Sequence, residues 1–178
     1  FKMKFDVIII GGGHAGCEAA YASAKARRLT ALITLDVNKI ALMSCNPAIG
    51  GIAKGHLVKE IDALGGLMAV NTDKTAIQYR RLNASRGPAV RSSRAQCDKR
   101  LYAIKMQECL SQIENLTIIQ GEVSKLLLNN SKIHGILLKT GEEISCNAVV
   151  ITTGTFLRGT MYVGLIKNMG VGLVITLR

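Results

Sequence analysis

The stretch that most constrains this chain is Phe5 to Ala20, FDVIIIGGGHAGCEAA. Phe5 to Ile10 is an apolar, mostly β-branched run, long enough for a buried strand and too short for a helix with its own core face. It stops at Gly11, Gly12 and Gly13, and His14, Ala15 and Gly16 then open an alanine-rich helical stretch that reaches about Arg28. Gly11, Gly13 and Gly16 keep the G-x-G-x-x-G spacing. In such a turn the first glycine makes the tight exit from the strand, the second lets backbone approach a pyrophosphate, and the third permits close helix–sheet packing. The helix N-terminus then presents N–H groups and a positive dipole end to phosphate. The spacing by itself recurs by chance, but a strand before it and a helix after it predict a dinucleotide site.

Thr30 to Leu35 (TALITL) reads as the second strand, so the first unit is βαβ with a right-handed crossover and a parallel sheet. Asp36 follows that strand. It stands where a carboxylate commonly holds ribose hydroxyls, and a loop aspartate facing water is the other reading of the same residue.

From Met43 the sequence runs MSCNPAIGGIAKGHLVKEIDALGG. Asn46, Pro47, Gly50 and Gly51 predict an irregular loop, followed by a helix from Ile52 to Leu64 that Gly65 and Gly66 end. A glycine-flanked loop feeding a helix meets anions or a flat ring. Cys45 heads the loop and is either a nucleophilic or redox thiol or a small buried hydrophobe. His56 is likewise either a general acid–base or a hydrogen-bonded structural histidine.

The chain carries a formal charge of +11, and much of it is concentrated between Ile77 and Lys105. Arg80, Arg81, Arg86, Arg91, Arg94, Lys99, Arg100 and Lys105 face the single acid Asp98 there. The first part reads as irregular, because Gly87 and Pro88 forbid a helix across Ser85 to Val90. Arginines on such a segment suit phosphate forks, whether of a cofactor pyrophosphate or an RNA backbone, with a solvated basic face as the plain alternative. Ala95 to Ile113 predicts an amphipathic helix with Leu101, Ile104, Cys109 and Leu110 toward the core. Beyond Asn115 the pattern turns to β. TIIQG, VSKLLLNN and KIHGILLKT predict short antiparallel strands, and EEISCNAVVITTG ends in a buried strand over Ala148 to Thr152. Thr152, Thr153, Gly154 and Thr155 then close beside the glycine turn.

Five cysteines without a C-x-x-C pair argue against a disulfide framework or a zinc site and fit a reducing cytoplasm. No segment approaches the roughly 20 apolar residues of a membrane span. Met3 is a natural start before the first strand, which makes Phe1 and Lys2 read as an extension.

GGGHAG at 11–16, the block at 43–66, LNASRGPAVRSSRAQCDK at 82–99 and TTGTFLRG at 152–159 together resemble the flavoprotein subunit of the tRNA uridine 5-carboxymethylaminomethyl modification enzymes, the MnmG/GidA family. The resemblance implies an α/β, Rossmann-type FAD-binding domain with a parallel sheet and a β-meander, incomplete at its C-terminal side. It implies FAD as cofactor, with NADH and methylenetetrahydrofolate in the complete enzyme, and tRNA, a GTPase subunit and a second copy in a homodimer as partners. Reductive one-carbon transfer to the wobble uridine is the implied reaction, in the cytoplasm and off the membrane. Gly11, Gly12, Gly13, His14, Ala15, Gly16, Asp36, Asn46, Pro47, Gly50, Gly51, Val123, Thr153, Gly154 and Thr155 are the implied cofactor contacts, and Cys45 the implied catalytic residue.

On this reading residues 1–164 are the FAD-binding part and residues 165–178 a tail that departs from the family pattern. Val171 to Leu177 is uncharged and β-prone, an aggregation hazard checked only by Arg178. Two rivals stand beside it: a non-catalytic nucleotide- or RNA-binding module, and the folate-dependent tRNA uridine methyltransferase, against which the blocks at 43–66 weigh.

Overall fold

The computed structural model describes residues 4–157, 159–169 and 174–177. Phe1 to Met3, Val171 to Leu173 and Arg178, on which expectations about the chain's ends were placed, lie outside them. In chain order the elements are β1 (Lys4–Ile10), α1 (His14–Lys25), β2 (Thr30–Thr34), β3 (Ala48–Gly50), α2 (Lys54–Ala63), α3 (Met68–Thr75), β4 (Ala76–Leu82), β5 (Ser92–Cys97), α4 (Lys99–Ser111), β6 (Leu116–Gln120), β7 (Val123–Asn129), β8 (Lys132–Leu138), β9 (Glu143–Ile151), β10 (Thr160–Val163), β11 (Ile166–Met169) and β12 (Val174–Leu177). They divide into two units, Phe1–Ile40 with Ile113–Arg178, and Ala41–Gln112.

In the first unit the apolar run of β1 is flanked by parallel partners on both sides, β2 and β9, and β6 continues in parallel outside β2. β7, β8 and the first part of β9 form an antiparallel meander. The sheet order is β12-β7-β8-β9-β1-β2-β6, and β10 and β11 make a separate hairpin. This is the expected α/β arrangement of Rossmann type with a meander. Side chains alternate along each strand, so Ile8, Ile10, Ala31 and Ile33 share a face and join Phe5, Val123, Leu126, Ile136, Leu138, Ile144 and Cys146 in one buried cluster. Ile9 and Leu32, also buried, point the other way. Helix α1 packs on β1 and β2. It buries Gly16, Cys17, Ala20 and Ala24, a stripe of small residues at helical spacing that lets its axis lie close to the sheet.

In the second unit β3, β5 and β4 make a three-stranded antiparallel sheet, in that order, with α2, α3 and α4 around it. Asp98 caps α4 by accepting from the amides of Arg100 (2.9 Å) and Leu101 (2.8 Å). Asn71 on α3 donates to the Tyr102 carbonyl of α4 at 2.9 Å and ties the two helices together. Gly65, at φ +82°, ends α2, with its amide on the Asp62 carbonyl and that of Gly66 on the Ile61 carbonyl, a Schellman closure.

Several expectations are corrected. The helix predicted from Ala95 begins only at Lys99, because Ser92 to Cys97 is held as a strand between β3 and β4 and Asp98 starts the helix. That helix turns Tyr102, Ala103, Met106 and Leu110 inward, while Leu101 and Ile104 are exposed. The predicted loop Asn46 to Gly51 contains β3, and the basic segment predicted as irregular begins with β4. TIIQ lies in β6, parallel to β2 rather than antiparallel to its sequence neighbours. Ala148, Val150 and Ile151 are exposed instead of buried. β8 pairs only with the first residues of β9, and α1 covers β1 and β2, so the end of β9 keeps an open flank. Val174 to Leu177 of the tail pairs in parallel with β7.

The closest backbone approach in the first unit supplies a test. A Cβ on Gly16 would stand 1.8 Å from the Gly11 carbonyl oxygen, whereas one on Gly13 would meet nothing within 4 Å. Gly16→Ala is expected to destabilise the chain by about 3 kcal/mol or more despite alanine's better helix propensity. Gly13→Ala is expected to be nearly neutral, and equal melting temperatures for the two variants would refute this packing.

Candidate functional site

The glycine turn is built at the carboxyl ends of β1, β2 and β9. Gly11 exits the strand at φ +113°, with its amide donating to the Ile33 carbonyl at 2.8 Å. A Cβ there would sit 2.5 Å from the Thr152 carbonyl, so the position demands glycine on two grounds. Thr152 pegs the turn from below: its hydroxyl lies 2.9 Å from the Ile10 carbonyl and 3.0 Å from that of Gly11, and its amide donates to Ile10 at 2.9 Å. Gly12 rests on Thr34, whose hydroxyl would be 2.9 Å from a Cβ. Gly13 is extended and exposed, and its carbonyl accepts the first helical bond of α1 from Cys17 at 2.9 Å. His14 and Ala15 form the first turn of α1, so the space before Gly13 and the helix N-terminus face the same way.

The other expected residues of this unit gather around the turn. Asp36 lies just past β2, and the Thr34 hydroxyl donates to its carbonyl at 3.4 Å. Its carboxylate accepts from the Asn38 amide at 3.0 Å and pairs with Lys39 at 3.2 Å. The backbone bond from Asn38, then Lys39, holds its pKa below the usual aspartate value. Gly121 donates to the Thr34 carbonyl at 2.8 Å, which brings the segment leading to Val123 to the same edge, although the Val123 side chain turns into the core. Thr153, Gly154 and Thr155 follow Thr152 directly, with Gly154 at φ +59°.

Cys45, Asn46, Pro47, Gly50 and Gly51 belong to the second unit. Cys45 and Asn46 are exposed. The Asn46 carbonyl accepts from Ala48 at 2.8 Å, and that of Pro47 from Cys97 at 2.7 Å, which fastens the loop to β5. Gly50 and Gly51 have φ of +113° and +106°, and a Cβ on Gly50 would lie 2.1 Å from the Ser93 carbonyl. Ser92 donates to the Gly51 carbonyl at 2.5 Å. A strand, a glycine turn and a helix thus recur here, now with two left-handed glycines where the first turn has one, and Gly51, like Gly13, has nothing within 4 Å of its missing Cβ. His56 is exposed and its Nδ1 bonds the Ile52 carbonyl one turn back, the structural alternative.

Residues that the sequence reading missed complete these turns: Ser92, whose hydroxyl reaches the Gly51 carbonyl far away in sequence, Thr34, whose hydroxyl turns to the nearby Asp36 carbonyl, and Lys54. Thr152 lies beside the glycine turn as expected, and only the reach of its hydroxyl to the Ile10 and Gly11 carbonyls goes beyond that reading. Lys54 is half-buried with Nζ donating to the Ala48 carbonyl at 3.4 Å, and burial holds its pKa below the usual lysine value. Among the described residues no cluster of histidine, cysteine or carboxylate side chains could hold a metal ion, and no helix is long and apolar enough to cross a membrane.

The thiols differ sharply. Cys17, Cys97 and Cys146 are buried, Cys109 is intermediate and Cys45 is exposed. Burial pushes the Cys146 thiol up to about 11, against a bond from the Ala148 backbone, and raises Cys97 against bonds from Thr75 and Thr72. A raised thiol pKa means less thiolate at pH 8, so these two combine poor access with low nucleophilicity. Disulfide-exchange labelling of the folded chain at pH 8 should therefore show a fast phase that Cys45→Ser abolishes. Persistence of that phase in the variant would contradict the burial pattern.

The family model described as "Glucose inhibited division protein A" matches residues 6–172. The tRNA uridine 5-carboxymethylaminomethyl modification enzyme MnmG of Geobacter sulfurreducens is 52% identical over 170 residues, covering 96% of this chain and 27% of that protein. The enzyme of the same name from Protochlamydia amoebophila is 53% identical over 164 residues, 92% of this chain and 26% of its own length. The chain thus spans about a quarter of these relatives. The structure of Aquifex aeolicus GidA superposes with a TM-score of 0.88 at 46% identity, over 96% of this chain and 29% of that one. A GidA-related protein from Thermus thermophilus, at 17% identity and a TM-score of 0.60 over 92% of this chain and 59% of that one, shares the fold.

Proposed function

The chain belongs to the glucose inhibited division protein A family, and from that membership we propose that it is the FAD-binding N-terminal part of a tRNA wobble-uridine modification enzyme. The observation that carries the flavin assignment is the glycine turn. Gly11 and Gly16 are fixed by close contacts at their missing Cβ positions, whereas that of Gly13 meets nothing within 4 Å, and open space there is what a pyrophosphate needs. Gly11 to Gly16 and the first turn of α1 would hold the phosphates, Asp36 the ribose, and the backbone at Val123 and Thr153 to Thr155 the remainder of the nucleotide. Asn46, Pro47, Gly50 and Gly51 are assigned to the flavin ring.

FAD, when bound, supplies hydride acceptance and delivery. The protein's part is to orient it, exclude water and present a thiol. Cys45 is assigned that role because it is the exposed cysteine of the loop, acting covalently or in proton transfer on the substrate base. NADH as hydride source, methylenetetrahydrofolate as one-carbon donor, tRNA as substrate, a GTPase subunit and a second copy as partners, and a cytoplasmic location belong to the same proposal. They rest on the family and on the sequence blocks shared with it.

Gly13→Val separates the site from the fold. The variant is expected to keep the parent's melting temperature and lose flavin binding by at least tenfold, read from flavin fluorescence. Full flavin retention would sink the assignment.

The 178-residue polypeptide taken alone is expected to give no modified wobble uridine with FAD, NADH, methylenetetrahydrofolate, GTPase subunit and unmodified tRNA, because residues for the nicotinamide and the folate are not recognisable in it. Modified nucleoside detected by mass spectrometry would overturn that.

A further inference from the structure

The β4–β5 ribbon carries an arrangement that neither the flavin assignment nor Cys45 uses. Arg80 stands directly opposite Arg94, and Gln78 opposite Gln96 one step along the same face. Directly opposed residues in an antiparallel pair have Cβ atoms about 4.5–5.5 Å apart, and like charges so placed destabilise the sheet. Nothing nearby relieves them. Neither guanidinium has an acidic partner among the described residues. The acids that flank the ribbon are engaged, Asp73 with the Tyr79 hydroxyl at 2.8 Å and Asp98 with the amides at the start of α4. The loop joining the strands adds Arg86 and Arg91, the latter donating to the Arg86 carbonyl at 2.8 Å.

We propose that Arg80 and Arg94 form a clamp for one backbone phosphate of RNA, with Gln78 and Gln96 as neutral donors to the neighbouring nucleotide. The proposal deepens the reading of the chain as part of a tRNA-modifying enzyme and rests on it. Two planar forks side by side match the oxygens of a phosphodiester. Leu82 and Ser92 continue this face, the first half-buried and the second buried, so around the clamp it presents the polar Gln78, Arg80, Arg94 and Gln96 and lacks the exposed aromatic or aliphatic anchor that a protein partner would need at the centre of an interface. Tyr79 lies on the opposite face.

Fluorescence anisotropy of the full chain with a labelled, unmodified tRNA transcript, across a salt series, tests the clamp. Arg80→Gln/Arg94→Gln is expected to reduce the slope of log K against log salt by about 0.7–0.9, the loss of one phosphate. The charge-matched Arg28→Gln/Lys132→Gln variant is expected to leave it unchanged. Without RNA the clamp variant should melt at a higher temperature than the parent, since the repulsion is gone, which also shows that it folds. An unchanged slope overturns the proposal, and so does a loss of about 1.4–1.8, which would mean two separate phosphates. Normal RNA binding with weakened binding of a polyglutamate peptide would instead make the ribbon a protein-docking surface. FAD binding measured on the same samples separates the two levels. Flavin binding with an unchanged RNA slope removes only the clamp, whereas a parent chain that binds neither removes the functional reading beneath it.

Discussion

The first unit depends on how closely helix α1 approaches the turn that precedes it. With 1.8 Å between the Gly11 carbonyl and the place where a Cβ on Gly16 would be, the helix is held against the exit of β1 by backbone rather than by side chains. Everything at that edge follows from this closeness. The turn can be tight only because Gly11 adopts a left-handed conformation, and the Thr152 hydroxyl can reach the Ile10 and Gly11 carbonyls only because no side chain intervenes. The N-terminus of α1 is thereby aimed past Gly13, where the protein leaves space. The site proposed for an anionic cofactor is obtained here by omitting atoms.

How much of this the sequence reveals depends on which interactions make each element. The β1–α1–β2 unit is legible because its strands are largely buried and read as apolar runs interrupted only by Asp6 and the threonines of β2, with glycines between them. The second unit is not. QYRRL and SSRAQC have no apolar period, since β4 is largely exposed and β5 turns only Ser92, Ala95 and Cys97 fully inward. Their pairing is fixed by register across the chain rather than by local pattern. In α4 both Leu101–Ile104 and Tyr102–Met106–Leu110 fit a helical stripe, and only packing on α3 chooses the second. Asp98 was the available clue, because a capping aspartate there moves the helix start past Ser92 to Cys97. Of the site, the glycines were legible and the hydroxyls were not. Thr152 and Ser92 act on backbone that only the fold brings to them.

The second unit repeats the logic of the first with different supports. Gly50 passes under the Ser93 carbonyl as Gly11 passes under that of Thr152, and Ser92 holds the Gly51 carbonyl as Thr152 holds that of Gly11. In both turns the hydroxyl comes from a residue at or just beyond the end of a neighbouring strand, and a glycine after the constrained one, Gly13 in the first and Gly51 in the second, is left open. The cost appears in Lys54, half-buried with one long contact to a carbonyl, an arrangement that packing alone would not favour.

β9 belongs to two ladders of opposite sense. Its first residues run antiparallel to β8, with Ser145 opposite Gly135, and its last run parallel to β1, with Ile151 opposite Ile10. Side chains alternate with a period of two, so a one-residue slip in the first ladder would invert every residue of the second and carry Thr152 away from the carbonyl it supports. The hairpin between β8 and β9, closed by Gly141 donating to Leu138 at 3.0 Å, therefore works as a length gauge for a turn at the far end of the strand. The β8–β9 hairpin sets the register of the glycine-turn edge from the opposite end of the strand.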